Sequence, residues 1–500
     1  MVLPVPNPTK SYWIEAAQSP LKDWRSTPEL PNQTDIVIIG SGYTGATAAY
    51  WIHKHTAEHG TTPHMVMLEA RDICGGATGR NGGQLRPHAY SRYLTWTTRF
   101  GKEGGLALIK HEMAHLDAFR DMLTAEGIAD DVSFRLGETF DAAMTPAEWA
   151  RLKSNYDAFV KDHGPEADVI RDCRIIEDPN EAEAFTQMKG CVGAVVHPSG
   201  QVWPYKFVHA LLKIVAEKTG KLNVQAHTPA LQVSERDAEG YITVTTPRGS
   251  VRAKAVIHST NAWASHLLPE YKNIILPSLS TVAALKAPAD LLKCTGAQQW
   301  GGEIWNYHLQ IPPPYNAIIV GGAKCVITHY PRDWIKQGDD SKHLPGVADY
   351  MRTWGAAEVF EWPQDAGSEL ALPAQEGGSW TGLTSPTADA FPFVGAVPGR
   401  EGHFIAAGFG GHGMPRILLS TAHLAPIVLA ALGVQGVKKP AMLDKFPSMP
   451  QPFVPTAERV ESLKDFDVQA DIDADVKEHE AAAKLDIANG PRAVGWKTAA

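Results

Sequence analysis

Short apolar runs, separated by glycine turns and amphipathic stretches, set the rhythm of this 500-residue chain. Residues 35–39 (DIVII) are too short for a helix and read as a parallel strand buried on both faces. Residues 64–68 (HMVML) repeat the pattern. Helical spacing predicts a helix over 103–125 and another over 146–163, where Thr145 and Glu148 form a capping box. A third runs over 205–218, opened by Pro204 and stopped at Gly220. From 222 to 258 the period changes to two, with turns at 237–240 and 247–249, so a meander of short strands is expected. Further strands are expected at 316–322 and 403–409, and helices at 343–359 and 416–432. This succession predicts an α/β fold: a Rossmann-type nucleotide-binding domain interleaved with an α+β substrate domain on a mixed sheet. The Pro-rich residues 1–33 read as an ordered arm held by Tyr12, Trp13 and Trp24, or else as a disordered lead-in. Past 445 the chain is Pro-rich and then charged, with one weak helix within 473–484.

Composition narrows the class. Hydrophobic content of 44% and charge of 20% are those of an ordinary folded protein, and the length suggests two or three domains. A net charge of −9 argues against nucleic acid or an anionic membrane as partner. The cysteines (Cys74, Cys173, Cys191, Cys294, Cys325) are scattered without C-x-x-C spacing, which fits reduced thiols better than a disulfide frame or a metal site. No stretch approaches the ~18 apolar residues of a membrane span, and the first residues lack the apolar core of a secretory signal. A cytoplasmic enzyme is the expectation, its oligomeric state left open.

The chemistry falls on the turns. Gly40, Gly42 and Gly45 fit G-x-G-x-x-G where the first strand must become a helix. The first glycine allows the tight turn, the second lets a pyrophosphate reach the backbone, and the third lets helix and strand pack closely. The helix N-terminus offers unpaired N–H groups to the phosphates. The second strand closes on Glu69, 24 residues past Gly45, near the spacing for an acid that grips a ribose diol. Instead of running into another crossover helix, residues 70–83 (ARDICGGATGRNGG) form a second glycine- and hydroxyl-rich loop. A ligand longer than a mononucleotide needs close backbone again at that point. A later turn, Gly410-Gly411-His412-Gly413 before Pro415, suits backbone N–H groups facing a developing anion.

On these features, with STNAW (259–263), DAFPFVG (389–395) and GFGGHGM (408–414), the chain resembles the D-amino-acid-oxidase superfamily of FAD-dependent oxidoreductases over roughly residues 34–435. GATGRNGGQ (76–84) is most similar to the bacterial gamma-glutamylputrescine oxidase branch, with sarcosine and glycine oxidases more distant. The resemblance implies an FAD-binding domain made of 34–104, 221–272 and 376–436, and a substrate domain made of 105–220 and 273–375. Residues 1–33 would then be an N-terminal arm and 437–500 a C-terminal extension. It makes Gly40, Ser41, Gly42, Tyr43, Thr44 and Gly45 the pyrophosphate cradle, with Glu69, Ala70 and Arg71 at the adenosine. Ala77, Thr78, Gly79, Asn81, Gly82, Gly83, Gln84 and Leu85 would run along the flavin. Pro229 and Ala230, on a meander strand, would touch adenine; Asn261 and Trp263 would join the cofactor site. Gly408, Gly410, Gly411, His412, Gly413 and Met414 would close over the isoalloxazine.

Two departures bear on chemistry. Sarcosine oxidases carry a flavin-linking cysteine seven residues before the aspartate of D-x-x-P; counting back from Asp389 gives Gly382, so FAD is expected to be non-covalent. Their carboxylate-binding lysine is replaced by Pro415, beside Arg416. The candidate catalytic residues are His412, Tyr307 and Arg80. His412 also reads as a helix cap, Tyr307 as core packing, and Arg80, Arg86 and His88 as ion-pair partners. Gln310 reads as a cavity residue, and Trp203 and Tyr205 as packing. The resemblance implies oxidation of an amine or amino acid: hydride passes to flavin N5, the imine hydrolyses, and O₂ becomes hydrogen peroxide. A dehydrogenase of the same fold using a quinone or carrier protein, and a non-catalytic flavin-binding homologue, are the alternatives.

Overall fold

The computed structural model describes residues 3–301, 304–327, 331–360, 362–363, 369–467 and 470. The first apolar run becomes the strand Gln33–Ile39, in the interior of an eight-stranded sheet. Five strands there are parallel, in the spatial order His403–Ala407, Gly249–His258, Gln33–Ile39, Met65–Leu68 and Leu222–Gln225. Ile39 is in register with Leu68 and His258, and His258 with Ile405. The loops that leave these strands at Gly40, Glu69, Ser259 and Gly408 therefore emerge along one edge, where parallel sheets bind ligands. The crossover helix Tyr43–Thr56 packs against Ile417–Ala431, where Trp51 Nε1 donates to the Leu418 carbonyl at 2.9 Å.

The second sheet has nine strands. Its order is Ser379–Thr384, Ser278–Leu285, Ile318–Gly321, Ile304–Gln310, Thr295–Gly301, Arg135–Ala143, Gly193–Gln201 and Gln84–Leu85, with Arg174–Ile176 beside Gly193–Gln201. Only Thr295–Gly301 and Arg135–Ala143 run parallel among these described pairs. Residues 84–85 and 379–384, grouped in sequence with the nucleotide-binding segments, hydrogen-bond into this second sheet. Backbone pairing thus fastens the loop after Glu69 to the second sheet.

The helix expected over 103–125 is the later part of Tyr93–Glu126, which breaks at Gly101 (φ 71°), a conformation glycine adopts without a Cβ penalty. Pro146–His163 forms with the Thr145 hydroxyl accepting the Glu148 N–H at 3.2 Å. The box is only half closed, because the Glu148 carboxylate turns to Arg151 instead. The helix expected from 343 begins at Val347, after Gly346 at φ 71°. Pro229 and Ala230 lie between the strands Leu222–Gln225 and Gln232–Val233, not on a strand; proline has no N–H to give a ladder. The helix Ala457–Leu463, capped by Thr456, was not evident in the sequence pattern, and the one expected within 473–484 lies outside the described residues.

Of the two readings of residues 1–33, the ordered arm is the one the structure shows. Tyr12 and Trp13 are buried in the short helix Tyr12–Glu15, and Trp13 meets Trp203 edge-on at 5.1 Å. Arg25 bridges Gln225, so the arm also covers the edge of the parallel sheet.

Candidate active site

A cavity of about 750 Å³ runs along the C-terminal edge of the parallel strands and is bounded on its other side by the second sheet. Its nucleotide end is formed by Gly40, Gly42, Thr44, Glu69, Ala70 and Ala230. The residues fit a dinucleotide on steric grounds: a Cβ on Gly45 would lie 2.0 Å from the Gly40 carbonyl oxygen, and Gly40 itself has φ 106°. Only glycine keeps the helix start this close to the strand. The Glu69 carboxylate is oriented before any ligand arrives, accepting from the Ser41 N–H and hydroxyl and from the Arg71 N–H at 2.7–3.0 Å.

The middle of the cavity is closed by two loops tied to each other. Asn81 Nδ2 donates to Met414 Sδ at 3.5 Å, while Asn81 Oδ1 accepts the Gly83 N–H. Asn261 Oδ1 accepts the Gly408 N–H at 3.1 Å, joining the loop after Gly249–His258 to the His412 turn. The Thr78 hydroxyl accepts the Tyr43 N–H, so the loop after Glu69 caps the first turn of the fingerprint helix. Gly382 also lines the cavity, where a Cβ would lie 3.1 Å from Arg80 Cβ.

Ala77, Thr78, Asn81, Gly82, Gly83, Gln84, Tyr43, Trp263, Gly410, Gly411, Gly413, Met414, His412 and Tyr307 all line this one cavity. Several neighbours do not. Ser41 is buried with its hydroxyl committed to Glu69, and Leu85 is a core residue. Gly45, Gly79, Pro229 and Gly408 lie outside the lining. Arg71 does line the cavity, with its guanidinium paired to the buried Asp340 at 3.0 Å over the Trp263 ring. Arg80, expected as a catalytic candidate, also lines the cavity, but its guanidinium is engaged within the protein. Its guanidinium donates to the Gly75 and Thr381 carbonyls and to the Thr9 hydroxyl, holding three segments together. Gln310 is spent on Pro288, Leu292 and Asn316, away from the cavity. Trp203 and Tyr205 are packing residues, as expected.

The far end is polar. Tyr307 packs against Gly82 and Gly321, leaving no room for a side chain at either, and burial raises its phenol pKa. Half-buried Arg86 and Gln299 gather on the buried Asp141 together with Tyr90, whose hydroxyl donates to Asp141 at 2.8 Å. Burial opposes ionisation of Asp141, but Arg86 and His197 hold its carboxyl well below the usual range. Glu112, from the long helix, is 1% exposed; it accepts from His412 Nε2 at 2.8 Å, Arg416 Nε at 2.8 Å and the His88 N–H at 2.7 Å. The His88 and His412 rings stack with centroids 4.0 Å apart. Burial works against the Glu112 charge, yet His412 and Arg416 keep its carboxyl far below the ordinary value, while burial lowers both histidines. Ligand-type atoms of His88, Glu112 and His412 lie within 4.8 Å of one another. Arg416 already neutralises the second carboxylate oxygen, which makes this a hydrogen-bonded cluster rather than a cation cage. Sequence reasoning missed Glu112, Asp141 and Gln299. The one signal for Glu112 was its place on the apolar stripe of its helix, between Leu108 and Leu116.

The arm completes the site. Leu3 and Pro4 line the cavity beside Glu69 and Ala70, and Ser11 and Trp13 donate to the Gly79 and Asn81 carbonyls at 2.6 Å. Deleting residues 1–10, which removes Leu3 and Pro4 from the lining and the Thr9 hydrogen bonds to Asp340 and Arg80, is expected to weaken FAD binding about tenfold, ~1.4 kcal/mol, the scale of one or two net hydrogen bonds. Titrating apoprotein with FAD by flavin fluorescence measures this; an unchanged Kd would remove the arm from the cofactor site.

The family model for FAD dependent oxidoreductases (DAO) matches residues 35–425. The chain belongs to that family, and its cofactor is FAD. Among curated relatives, the gamma-glutamylputrescine oxidoreductase of Escherichia coli (strain K12) is 25% identical over 411 residues, 80% of this chain and 83% of that protein. Glycine oxidase from Geobacillus kaustophilus matches in structure with a TM-score of 0.61 at 20% identity, covering 85% of this chain and 99% of the other. L-amino acid deaminase from Proteus vulgaris gives 0.61 at 18% identity over 87% and 97%. At these identities the two structures speak for the fold. No helix among the described residues is long and apolar enough to cross a membrane.

Proposed function

We propose that the protein oxidises the C–N bond of a small amine or amino acid, using non-covalent FAD and passing the electrons to O₂. The carrying observation is a single cavity that joins the glycine fingerprint to a polar chamber holding His412, Tyr307 and the Arg86–Asp141 cluster. Bound FAD would supply the two-electron acceptor that no side chain provides. The chain's own part is positional. Gly40, Gly42 and Thr44 would cradle the pyrophosphate, and Glu69 the ribose. The loops at 77–84 and 410–414 would hold the ring system, leaving the substrate between it and the second sheet. The names of the gamma-glutamylputrescine, glycine and L-amino acid enzymes above support a C–N substrate.

The test is anaerobic mixing of the yellow holoprotein with glycine, N,N-dimethylglycine, L-amino acids and gamma-glutamylputrescine, followed by admission of air. At least one should bleach the flavin absorbance, and air should restore it with one hydrogen peroxide per turnover. Bleaching by alcohols or glycerol phosphate alone would overturn the C–N assignment. Sluggish reoxidation that a quinone accelerates would replace O₂ as the acceptor.

A further inference from the structure

We propose that Glu112 is a positioning residue that fixes the tautomer of His412, so that His412 Nδ1 accepts the proton of the substrate ammonium. This rests on the C–N reading above and assigns a proton acceptor within it.

A C–N bond is oxidised only after the amine nitrogen has lost its extra proton, since an ammonium has no lone pair to form the imine. At neutral pH an alkyl ammonium is charged, and the chamber must take that proton. His412 is placed for it. Its Nε2 faces Glu112 Oε2 at 2.8 Å, and the same oxygen also receives the His88 N–H, while Arg416 fills the other oxygen. An ionised carboxylate only accepts, so Nε2 must carry the hydrogen and Nδ1 must carry the lone pair. Among the described residues Nδ1 has no hydrogen-bond partner, and it is not among the sealed atoms of a residue that lines the cavity. The ring is held in place, because His88 stacks on one face at 4.0 Å and Glu112 Oε2 takes Nε2 at 2.8 Å. In the proton transfer an N–H bond of the ammonium breaks and an Nδ1–H bond forms. The imidazolium charge then lies against Glu112.

The groups facing His412 set its basicity from several elements. Glu112 on the long helix raises it; burial, Arg416 at the next helix and Arg86 after the flavin loop lower it, and neutral His88 stacks against it. A weak, neutral base ready for a proton is the result.

Two measurements on the holoprotein separate this proposal from the functional reading beneath it. First, ¹⁵N-histidine labelling, with the His412 signal assigned by its loss in His412→Gln, reads the tautomer without any substrate. Nε2–H is expected in the wild type, and a mixture in Glu112→Gln, whose amide can also donate. An Nδ1–H wild type, or a tautomer unaffected in Glu112→Gln, overturns the role of Glu112. Second, anaerobic flavin bleaching is followed against pH with whichever amine of the panel above reduces the flavin. His412→Gln should be about 100-fold slower near pH 7, the usual scale for a positioned base. The deficit should shrink towards parity near pH 10, where the free amine predominates. Glu112→Gln should show a smaller deficit of the same shape, and the double variant should be no slower than His412→Gln. A deficit independent of pH, or none, overturns the base. Were no amine to bleach the flavin, the C–N reading would fall and the base with it, while the tautomer result would still decide what Glu112 does.

Discussion

Gly45→Ala will give a folded but colourless protein, with FAD affinity reduced at least about 100-fold, or ~2.7 kcal/mol. On helix propensity alone the change would stabilise Tyr43–Thr56 by roughly 1 kcal/mol. Space decides the other way. The new Cβ would lie 2.0 Å from the Gly40 oxygen and 3.0 Å from Ser259 Oγ, far inside the roughly 3.5–4.0 Å at which carbon contacts are comfortable. Neither neighbour is free to yield. Gly40 N–H donates to the Leu68 carbonyl at 2.8 Å, and Ser259 Oγ is held on the Ile39 and Gly40 carbonyls. The helix must therefore back away from the strand, carrying with it the N–H groups meant for a pyrophosphate. Gly42→Ala is the informative comparison: within the protein its Cβ would meet only Thr78, at 3.1 Å, so the helix can stay in place and any loss of FAD affinity reports the close approach of the pyrophosphate to the backbone. Equilibrium dialysis with FAD, beside circular dichroism to establish folding, reads both. A Gly45→Ala protein that purifies yellow with wild-type affinity would show that the fingerprint does not hold the cofactor here.

That glycine was legible from the start because its constraint is local. A strand, a turn and a helix within a dozen residues leave a pattern of period, glycine spacing and terminal acid that needs no knowledge of the rest of the chain. The same holds for the parallel strands and for Pro146–His163, whose cap lies next to it in sequence. The polar half of the site is not local. Glu112 meets His412 across 300 positions, and Asp141 meets Gln299 across 158. In an amphipathic helix, a glutamate reads as part of the solvated face until the fold shows that its stripe is the buried one. Arginines mislead in the opposite direction. Arg71 and Arg80 sit inside the cofactor motifs and so read as ligand-binding, but proximity in sequence does not say which way a long side chain turns. Both turn inward, onto an acid more than 250 residues away whose role only the fold exposes.

Replacing that acid is the largest expected stability change. Asp340→Ala will cost about 3–5 kcal/mol, the usual consequence of removing one partner from a buried ion pair. The Asp340 side chain is 1% exposed; Arg71 reaches both its oxygens at 3.0–3.1 Å, and Arg80 approaches to 3.8 Å. Without the carboxylate, two guanidinium groups would sit side by side out of water with only carbonyls and a hydroxyl to share. Asp340→Asn keeps an acceptor and the volume but not the charge, so its cost should be smaller though still substantial. The position also controls how segments meet. The Asp340 carbonyl accepts the Thr9 N–H and hydroxyl at 2.9 and 3.1 Å, Arg71 follows Glu69 at the end of its strand, and Arg80 belongs to the glycine-rich loop after it. Destabilisation should thus appear first as easier FAD release and only then as global unfolding. Urea denaturation of apo- and holoprotein gives the stability, and the rate of flavin fluorescence recovery on dilution gives the release. A loss below about 1 kcal/mol would place the pair in the range of hydrated surface bridges. It would also leave the junction of the arm with the loops around 71–84 and 379–384 to its remaining hydrogen bonds, those of Thr9, Ser11, Trp13 and Arg80.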